Sequence, residues 1–346
     1  MILAVVTSAL VAAGCGSDDA DDAANGDDTS AEDVTLVVYS GREQELVEPL
    51  YEQFTEETGI ELDVRFGESA ALAAQLLEEG DNSPADVFYA QDAGAIGSVA
   101  DQLAELPEDL VADVPAEFRD PDGRWTGVTG RVRTLVHNTE ELSEADLPAS
   151  VLDLTDPEWK GKLGVAPTNA SFIAFVTAMR QQLGDGETKA FLEGLVANDV
   201  QTFEKNGAIV DAVASGEIQA GLVNHYYLYE KLGKEPDAPI ANHFFEAGDI
   251  GNMVNTSAIG ILDGAEHADA AQQLVEFMLG DGQRFIVEEA EEREYPLTTT
   301  EDLESNERYQ ELPTLESIEA PEVDLGALGD ELEATVRLIE ESGLNA

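Results

Sequence analysis

Thr35-Leu36-Val37-Val38-Tyr39, followed by Ser40-Gly41 and then by the apolar-periodic run Leu46 to Phe54 that closes at Gly59, decides the fold. The first five residues read as a strand, Ser40-Gly41 as a turn, and the spacing from Leu46 predicts an amphipathic helix with a glycine stop. The same unit repeats at once. Ile60 to Phe66 reads as a second strand, Ser69 to Leu77 as a helix ending at Glu78-Glu79-Gly80, and Ala85-Asp86-Val87-Phe88-Tyr89 as a third strand. Strands alternating with helices at this spacing predict βαβ units, a parallel sheet and an α/β fold. Ligands of such sheets bind beyond the carboxyl ends of the strands, which marks Ser40 to Glu43 and Ala90 to Asp92 as candidate site loops.

A second junction of this kind is Ala220-Gly221-Leu222-Val223-Asn224-His225-Tyr226-Tyr227-Leu228-Tyr229. Ala220 to Val223 is a short apolar run that reads as a buried strand stopping at Asn224, and Tyr226 to Leu232 has helical spacing ending at Gly233. On one regular element, neighbouring tyrosines point apart. At a strand-to-helix junction both hydroxyls can meet at one point, with helix N–H groups facing the same space. Two phenolates are hard anionic oxygen donors that a trivalent metal would bind after displacing their protons. The other reading makes Tyr226 and Tyr227 core or rim aromatics, and the dipeptide alone leaves both open.

The chain has 346 residues, enough for two domains of ordinary size. Its 73 acidic against 17 basic residues give a formal charge of −56. Such a field repels nucleic acid and anionic membrane surfaces, which removes both from the expected partners. It is read as adaptation to a saline habitat, where an acidic surface stays solvated. The single cysteine, Cys15, excludes an intrachain disulfide. Residues 1–15 form an apolar stretch ending in Val11-Ala12-Ala13-Gly14-Cys15, too short to span a bilayer, which reads as a lipoprotein signal peptide whose Cys15 is lipidated. Residues 16–33, rich in Asp, Ala, Gly and Ser, read as an acidic disordered tether. The expected location is therefore extracytoplasmic, on the cell surface or periplasmic side, with a lipid anchor as the membrane attachment.

The runs VVYSGREQELVEPLYEQFTEETGIELDV, LLEEGDNSPADVFYAQDAGAIGSV, WTGVTGRVRTLVHNT, LTDPEWKGKLGVAPTNASFIAFVTAMR, FEKNGAIVDAVASGEIQAGLVNHYY and EREYPL together resemble the ferric-iron-binding proteins of bacterial ABC importers. The likeness covers roughly Val34 to Leu297. It implies a bilobal class II periplasmic-binding-protein fold, two mixed-sheet α/β lobes joined by hinge strands. Lobe 1 would comprise residues 34–113, with 119–131 and 256–306 returning to it; lobe 2 would comprise 132–255, with 307–346 packing on it. Crossings fall near 112–118, 127–133, 252–257 and 304–309. The resemblance also implies a non-enzymatic, monomeric receptor that carries Fe3+ with carbonate or phosphate as synergistic anion. Its partners would be the permease and ATPase subunits of an importer.

Residue by residue, the resemblance makes Tyr226 and Tyr227 the central iron ligands. Asn224, Asn206 and the stretch Asn169-Ala170-Ser171 fall on positions that hold the anion. Independently, Asn169 to Ser171 precedes the helical run Phe172 to Arg180, where backbone N–H groups could cradle an anion or simply cap a helix. The first lobe departs from the family's best-known members. Glu43 stands where they have histidine, Gln91 with Asp92 beside it where they have a carboxylate, and Phe172 where others have a third tyrosine. Glu43 is the candidate first-lobe ligand and Gln91 a further contact. Arg42 and Arg131 read as bidentate partners of the anion or of Glu43, or else as structural ion pairs with one of the many carboxylates; for Arg133 the structural ion pair is the preferred reading. The four histidines, His137, His225, His243 and His267, lack metal-ligand spacing. Tyr229 reads as core, residues 289–322 as acidic surface, and residues 325–342 as a helix packing on the second lobe. The alternative function is a same-fold receptor for a small anionic solute such as a phosphonate or phosphate ester.

Overall fold

The computed structural model describes residues 34–288, 293–298, 306 and 310–345. The leader, Cys15 and the tether lie outside the described residues. The elements in chain order are β1 (Thr35–Ser40), α1 (Gln44–Thr58), β2 (Glu61–Phe66), α2 (Ser69–Glu79), β3 (Val87–Ala90), α3 (Ala93–Gly97), α4 (Glu108–Val111), β4 (Thr126–Asn138), β5 (Leu163–Val165), α5 (Ala170–Ala197), β6 (Gln201–Thr202), α6 (Asn206–Ala214), β7 (Ala220–Asn224), α7 (Tyr226–Lys234), β8 (Ile240–His243), β9 (Val254–Ile261), α8 (Ala268–Phe277), α9 (Gln283–Glu288), β10 (Tyr295–Pro296), α10 (Leu315–Ile318) and α11 (Leu332–Ser342), with short 3-10 turns between them.

Local sequence explains the opening unit. Leu46, Val47, Leu50, Tyr51 and Phe54 form the buried stripe of α1, and Gly59, at φ 75°, ends the helix by donating its N–H to the Thr55 carbonyl. Gly41 lies tight against Ser69: a Cβ there would fall 2.0 Å from Ser69 Oγ and 3.1 Å from its Cα, so a side chain would force Ser69 to shift. That close approach lets the loop after β1 lie against the start of α2, whose Ser69 hydroxyl accepts the Gln91 N–H at 2.8 Å. Three strand ends are thus tied together.

The strands follow the order β2-β1-β3-β9-β4-β7-β5-β6, with β10 and β8 also pairing with β4. β1 pairs in parallel with β2 and β3, while β9 runs antiparallel to β3. β4 is the strand that joins two groups. Its first half, Thr126 to Val132, pairs with β9; its second half, Arg133 to His137, pairs with β7. Beyond β7, strands β5 and β6 continue in parallel. Every residue of β4 is buried.

Three expectations change. Residues 112–118 make no crossing between strand groups: the Phe118 carbonyl lies close to Gly127, Arg119 bridges to Thr126, and Arg119 Nη1 donates to the Val111 carbonyl at 3.2 Å. Residues 294–297 are not surface. Tyr295 and Pro296 pair with Gly130 and Thr129 of β4, and Glu294, Tyr295 and Leu297 are all buried. The C-terminal segment divides into a 3-10 turn, Gly326–Leu328, packed on α3, and α11 packed on α5, where Thr335 and Thr177 share a hydroxyl contact of 2.8 Å. No described helix is long and apolar enough to cross a membrane.

Candidate functional site

The strand ends converge on one cavity of about 670 Å³. Its walls come from the loops after β1 (Gly41 to Glu45), β2 (Gly67 to Ala70) and β3 (Gln91, Asp92), facing the segments after β5 (Asn169 to Ser171) and β7 (Asn224, Tyr226, Tyr227), with Arg131, Arg133, Met253 and Asn255 at the base. All five segments leave the carboxyl end of a strand, the location the topology demands.

Tyr226 and Tyr227 open α7. Their rings stack with centroids 4.4 Å apart at 30°, Tyr226 buried and Tyr227 half-buried. Burial pushes the Tyr226 phenol well above its ordinary pKa, and Tyr227 pushes it further, while Arg131 opposes both. Tyr226 without a bound metal is therefore a protonated phenol. His225, between strand and tyrosines, is fully buried with both ring nitrogens engaged. Its Nδ1 faces the Val132 N–H at 3.2 Å and its Nε2 the Arg293 carbonyl at 3.0 Å. An acceptor at Nδ1 fixes the proton on Nε2, so the ring is neutral; burial lowers its pKa to about 4. His225 anchors the tyrosine junction to the point where β4 changes partner. That role left no metal-spacing signal in the sequence.

The anion candidates form a connected set. Asn169 caps α5, its Oδ1 accepting the Ser171 N–H at 3.0 Å and the Ser171 hydroxyl at 2.6 Å. Asn206 stands behind the wall and donates from Nδ2 to Ser171 Oγ at 2.9 Å. The cap and the cradle are thus one structure: the capped first turn of α5, with Ala170 exposed, faces the cavity. Glu43 is exposed on the rim and makes no capping bond to α1. Gln91 is half-buried, and its backbone carbonyl accepts from Arg131 Nη2. Neither Arg42 nor Arg131 pairs with Glu43.

Their shared carboxylate is Glu294, which sequence reading left on the surface. Its Oε1 lies 3.1 Å from Arg42 Nη2 and 3.9 Å from Arg131 Nε, and its Oε2 accepts from the Thr129 hydroxyl. Burial alone would raise the Glu294 pKa, but Arg42, Arg131 and Thr129 hold it below the usual carboxylate range. Arg42 responds in kind: burial works against its charge, and Glu294 and Tyr89 more than compensate.

Arg133 corrects a second expectation. Among the described residues no carboxylate pairs with it; it donates to the Leu222 carbonyl at 2.8 Å, Ser171 Oγ at 3.2 Å and Asn224 Oδ1 at 3.5 Å. The Phe172 and Phe175 rings, each 5.6 Å from its guanidinium carbon, enclose it, and burial lowers its pKa to about 9. It remains a cation at neutral pH. Phe172, fully buried, serves as a wall for Arg133. Tyr229 stacks under the Arg293 guanidinium at 4.7 Å and is half-buried. No cluster of three or more His, Cys, Asp or Glu suited to a metal exists among the described residues.

A cleft at the strand ends, with polar walls contributed by loops on either side, defines a receptor for a small solute. Residues 82–317 match the family described as Bacterial extracellular solute-binding protein, and the chain belongs to it. It is 32% identical over 323 residues to the Fe(3+)-binding periplasmic protein of Serratia marcescens, covering 92% of this chain and 93% of that one. The Major ferric iron-binding protein of Neisseria meningitidis serogroup B is 32% identical over 320 residues, covering 89% and 93%. Among solved structures, iron-bound HitA from Pseudomonas aeruginosa superimposes with a TM-score of 0.79 at 31% identity, over 90% of this chain and 99% of that one. The fold is accordingly the bilobal class II periplasmic-binding-protein fold, and the family, which groups with ferric-iron-binding members, is one of solute-binding transport proteins rather than enzymes.

Proposed function

We propose that this protein is an extracytoplasmic receptor that binds ferric iron with a synergistic anion in the cleft and delivers it to an ABC importer. The observation that carries the reading is the stacked Tyr226–Tyr227 pair at the cavity wall, facing the capped start of α5 across buried guanidiniums. Its similarity to ferric-iron-binding proteins in Serratia and Neisseria supports the same cargo. Tyr226 and Tyr227 would hold the metal. Asn169, Ala170, Ser171 and Asn224, backed by Asn206, would hold carbonate or phosphate from one side, and Arg42 and Arg131 from the other. Glu43, on the rim, would reach the metal on closure of the lobes. The lobes would meet where β4 changes partner, its pairing with β9 ending at Val132 and that with β7 starting at Arg133. Cys15 would carry the lipid anchor, residues 16–33 would act as spacer, and the monomeric receptor would dock on permease and ATPase subunits. The acidic surface would keep it soluble in saline surroundings.

The test is spectroscopic. Purified protein given ferric ion with bicarbonate or phosphate develops a phenolate-to-iron charge-transfer colour, which the Tyr226→Phe/Tyr227→Phe double variant lacks. Colourless protein with no iron by metal analysis refutes the assignment. One observation favours a second reading: three buried guanidiniums face the cavity and Glu43 is exposed, an arrangement suited to a small anion alone. Calorimetric binding of a phosphonate or phosphate ester in iron-free buffer, without colour on adding iron, would select it.

A further inference from the structure

Glu294 has a position that iron–phenol chemistry does not require. It is 1% exposed, and it stands behind the cavity wall while Arg42 and Arg131, which it touches, are part of that wall. Two buried cations therefore share one buried anion. Arg42 Nε and Nη1 and Arg131 Nε have no hydrogen-bond partner among the described residues. Arg133 adds a third guanidinium with no carboxylate. The half-buried Asp92 has its Oδ1 accepting the Ala95 N–H of α3 at 2.9 Å. The fixed charge at the cleft is thus three guanidiniums against the buried carboxylate of Glu294, which lies behind the wall, and Asp92, which lines it and acts on Arg131; the other carboxylates of the lining, Glu43, Glu45 and Glu68, are exposed.

We infer that Glu294 is the positioning residue that sets which charge of anion the cleft selects: it holds Arg42 and Arg131 against the cavity and cancels one of their two charges. The inference rests on the proposal that an anion occupies this cleft. The physical reason is local. An exposed carboxylate is screened within a few ångströms of salt solution, but a buried one acts at an effective dielectric near 20. At the separations within such a cluster, removing one negative charge favours a dianion over a monoanion by roughly tenfold or more. The Thr129 hydroxyl, itself in contact with Ser257 Oγ at 2.8 Å, donates to the far oxygen of Glu294, so both carboxylate oxygens have buried partners.

The experiment compares inorganic phosphate with bicarbonate on the full chain at about pH 8, where phosphate is chiefly a dianion. The affinities that enter the ratio come from calorimetry without iron, where bicarbonate stays a monoanion; the charge-transfer band at fixed ferric ion reports separately on iron binding. Glu294→Gln is expected to raise the phosphate-to-bicarbonate affinity ratio roughly tenfold over the parent, whereas Glu294→Asp, which keeps the charge, stays near the parent ratio. Should Glu294→Gln fail to fold, Arg42→Gln carries the test and must move the ratio towards bicarbonate. An unchanged ratio in either folded Gln variant overturns the inference, as does a parent chain that binds neither anion. A parent that binds anions by calorimetry but never colours with iron overturns the iron proposal alone, and the ratio still decides the role of Glu294.

Discussion

If Tyr226 holds ferric iron as proposed, its capture would release a proton, and that proton would show in a measurement. The phenol is buried and its pKa is raised, first by burial and then by Tyr227. It is therefore protonated at every pH at which the protein would work. Even a phenol of ordinary acidity costs roughly 4 kcal/mol to ionise at about pH 7, and burial adds to this. The metal has to supply that free energy. The sign follows from mass action: each proton displaced on binding lowers the apparent affinity about tenfold for every unit by which pH falls. Other protons, from the anion and from hydrolysed ferric ion, contribute to the absolute slope. They contribute equally to a variant, so the difference in slope isolates Tyr226. The expected outcome is that log apparent affinity against pH, measured by competition with a chelator between about pH 6 and 8, is shallower in Tyr226→Phe by about one unit per pH unit. The charge-transfer band should also weaken. Parallel slopes in parent and variant would refute the reasoning, because Tyr226 would then bind nothing as a phenolate.

Three further outcomes follow from the packing. Gly97→Ala would stabilise α3 by about 1 kcal/mol on helix propensity alone, but its Cβ would lie 2.2 Å from the Gly326 carbonyl oxygen; net destabilisation of about 1–3 kcal/mol is expected by denaturant titration, and a gain in stability would contradict the contact. Thr335→Val removes a hydroxyl that contacts Thr177 Oγ1 at 2.8 Å and accepts from Arg180 Nη1 at 2.9 Å; a loss of about 1–3 kcal/mol is expected, read from the same titration. Arg133→Met exchanges a buried, carboxylate-free cation for an apolar chain of similar reach, so the stability of the empty protein should stay within about 1 kcal/mol of the parent. Phosphate binding by calorimetry should fall sharply in that variant, and retention of parent affinity would remove Arg133 from the site.

The fold was legible because its repeating units carry strong local signals. The stripe from Leu46 to Phe54 gave the existence of α1, and the structure extends it to Gln44–Thr58, since the polar ends of a helix carry no periodicity. The third strand begins at Val87 instead of Ala85 because Asp86 is occupied: its N–H donates to the Val37 carbonyl and its Oδ2 accepts the Val37 N–H at 2.9 Å. The candidate site divides along a similar line. Residues at strand ends could be named from topology and resemblance, and the cavity gathers Arg42, Glu43, Gln91, Arg131, Asn169, Ala170, Ser171, Asn224, Tyr226 and Tyr227, with Asn206 just behind. Glu294 could not be singled out among 73 acidic residues. Its partners are 252 residues away in the chain for Arg42 and 165 for Thr129, and a two-residue strand has no period to detect. Arg133 misled for the opposite reason. In so acidic a chain an arginine is expected to find a carboxylate, but the buried Glu294 pairs with Arg42 and Arg131, and Arg133 packs against Phe172 and Phe175 instead.

The burial of these guanidiniums says how the proposed anion site would persist in a chain of charge −56. Surface carboxylates act through water, and at about 0.15 M salt their influence decays over about 8 Å, at 1 M over about 3 Å. The three guanidiniums and Glu294 act through protein, where salt screens them much less. Raising ionic strength therefore removes the general repulsion of anions by the surface and leaves the local attraction of the cleft. An anion should consequently bind this protein no more weakly as salt rises, the reverse of the behaviour of a site made from exposed lysines. Calorimetric titration with phosphate at increasing sodium chloride checks this directly. A steep loss of affinity, like that of a surface site, would mean that the buried arginines are not what the anion meets.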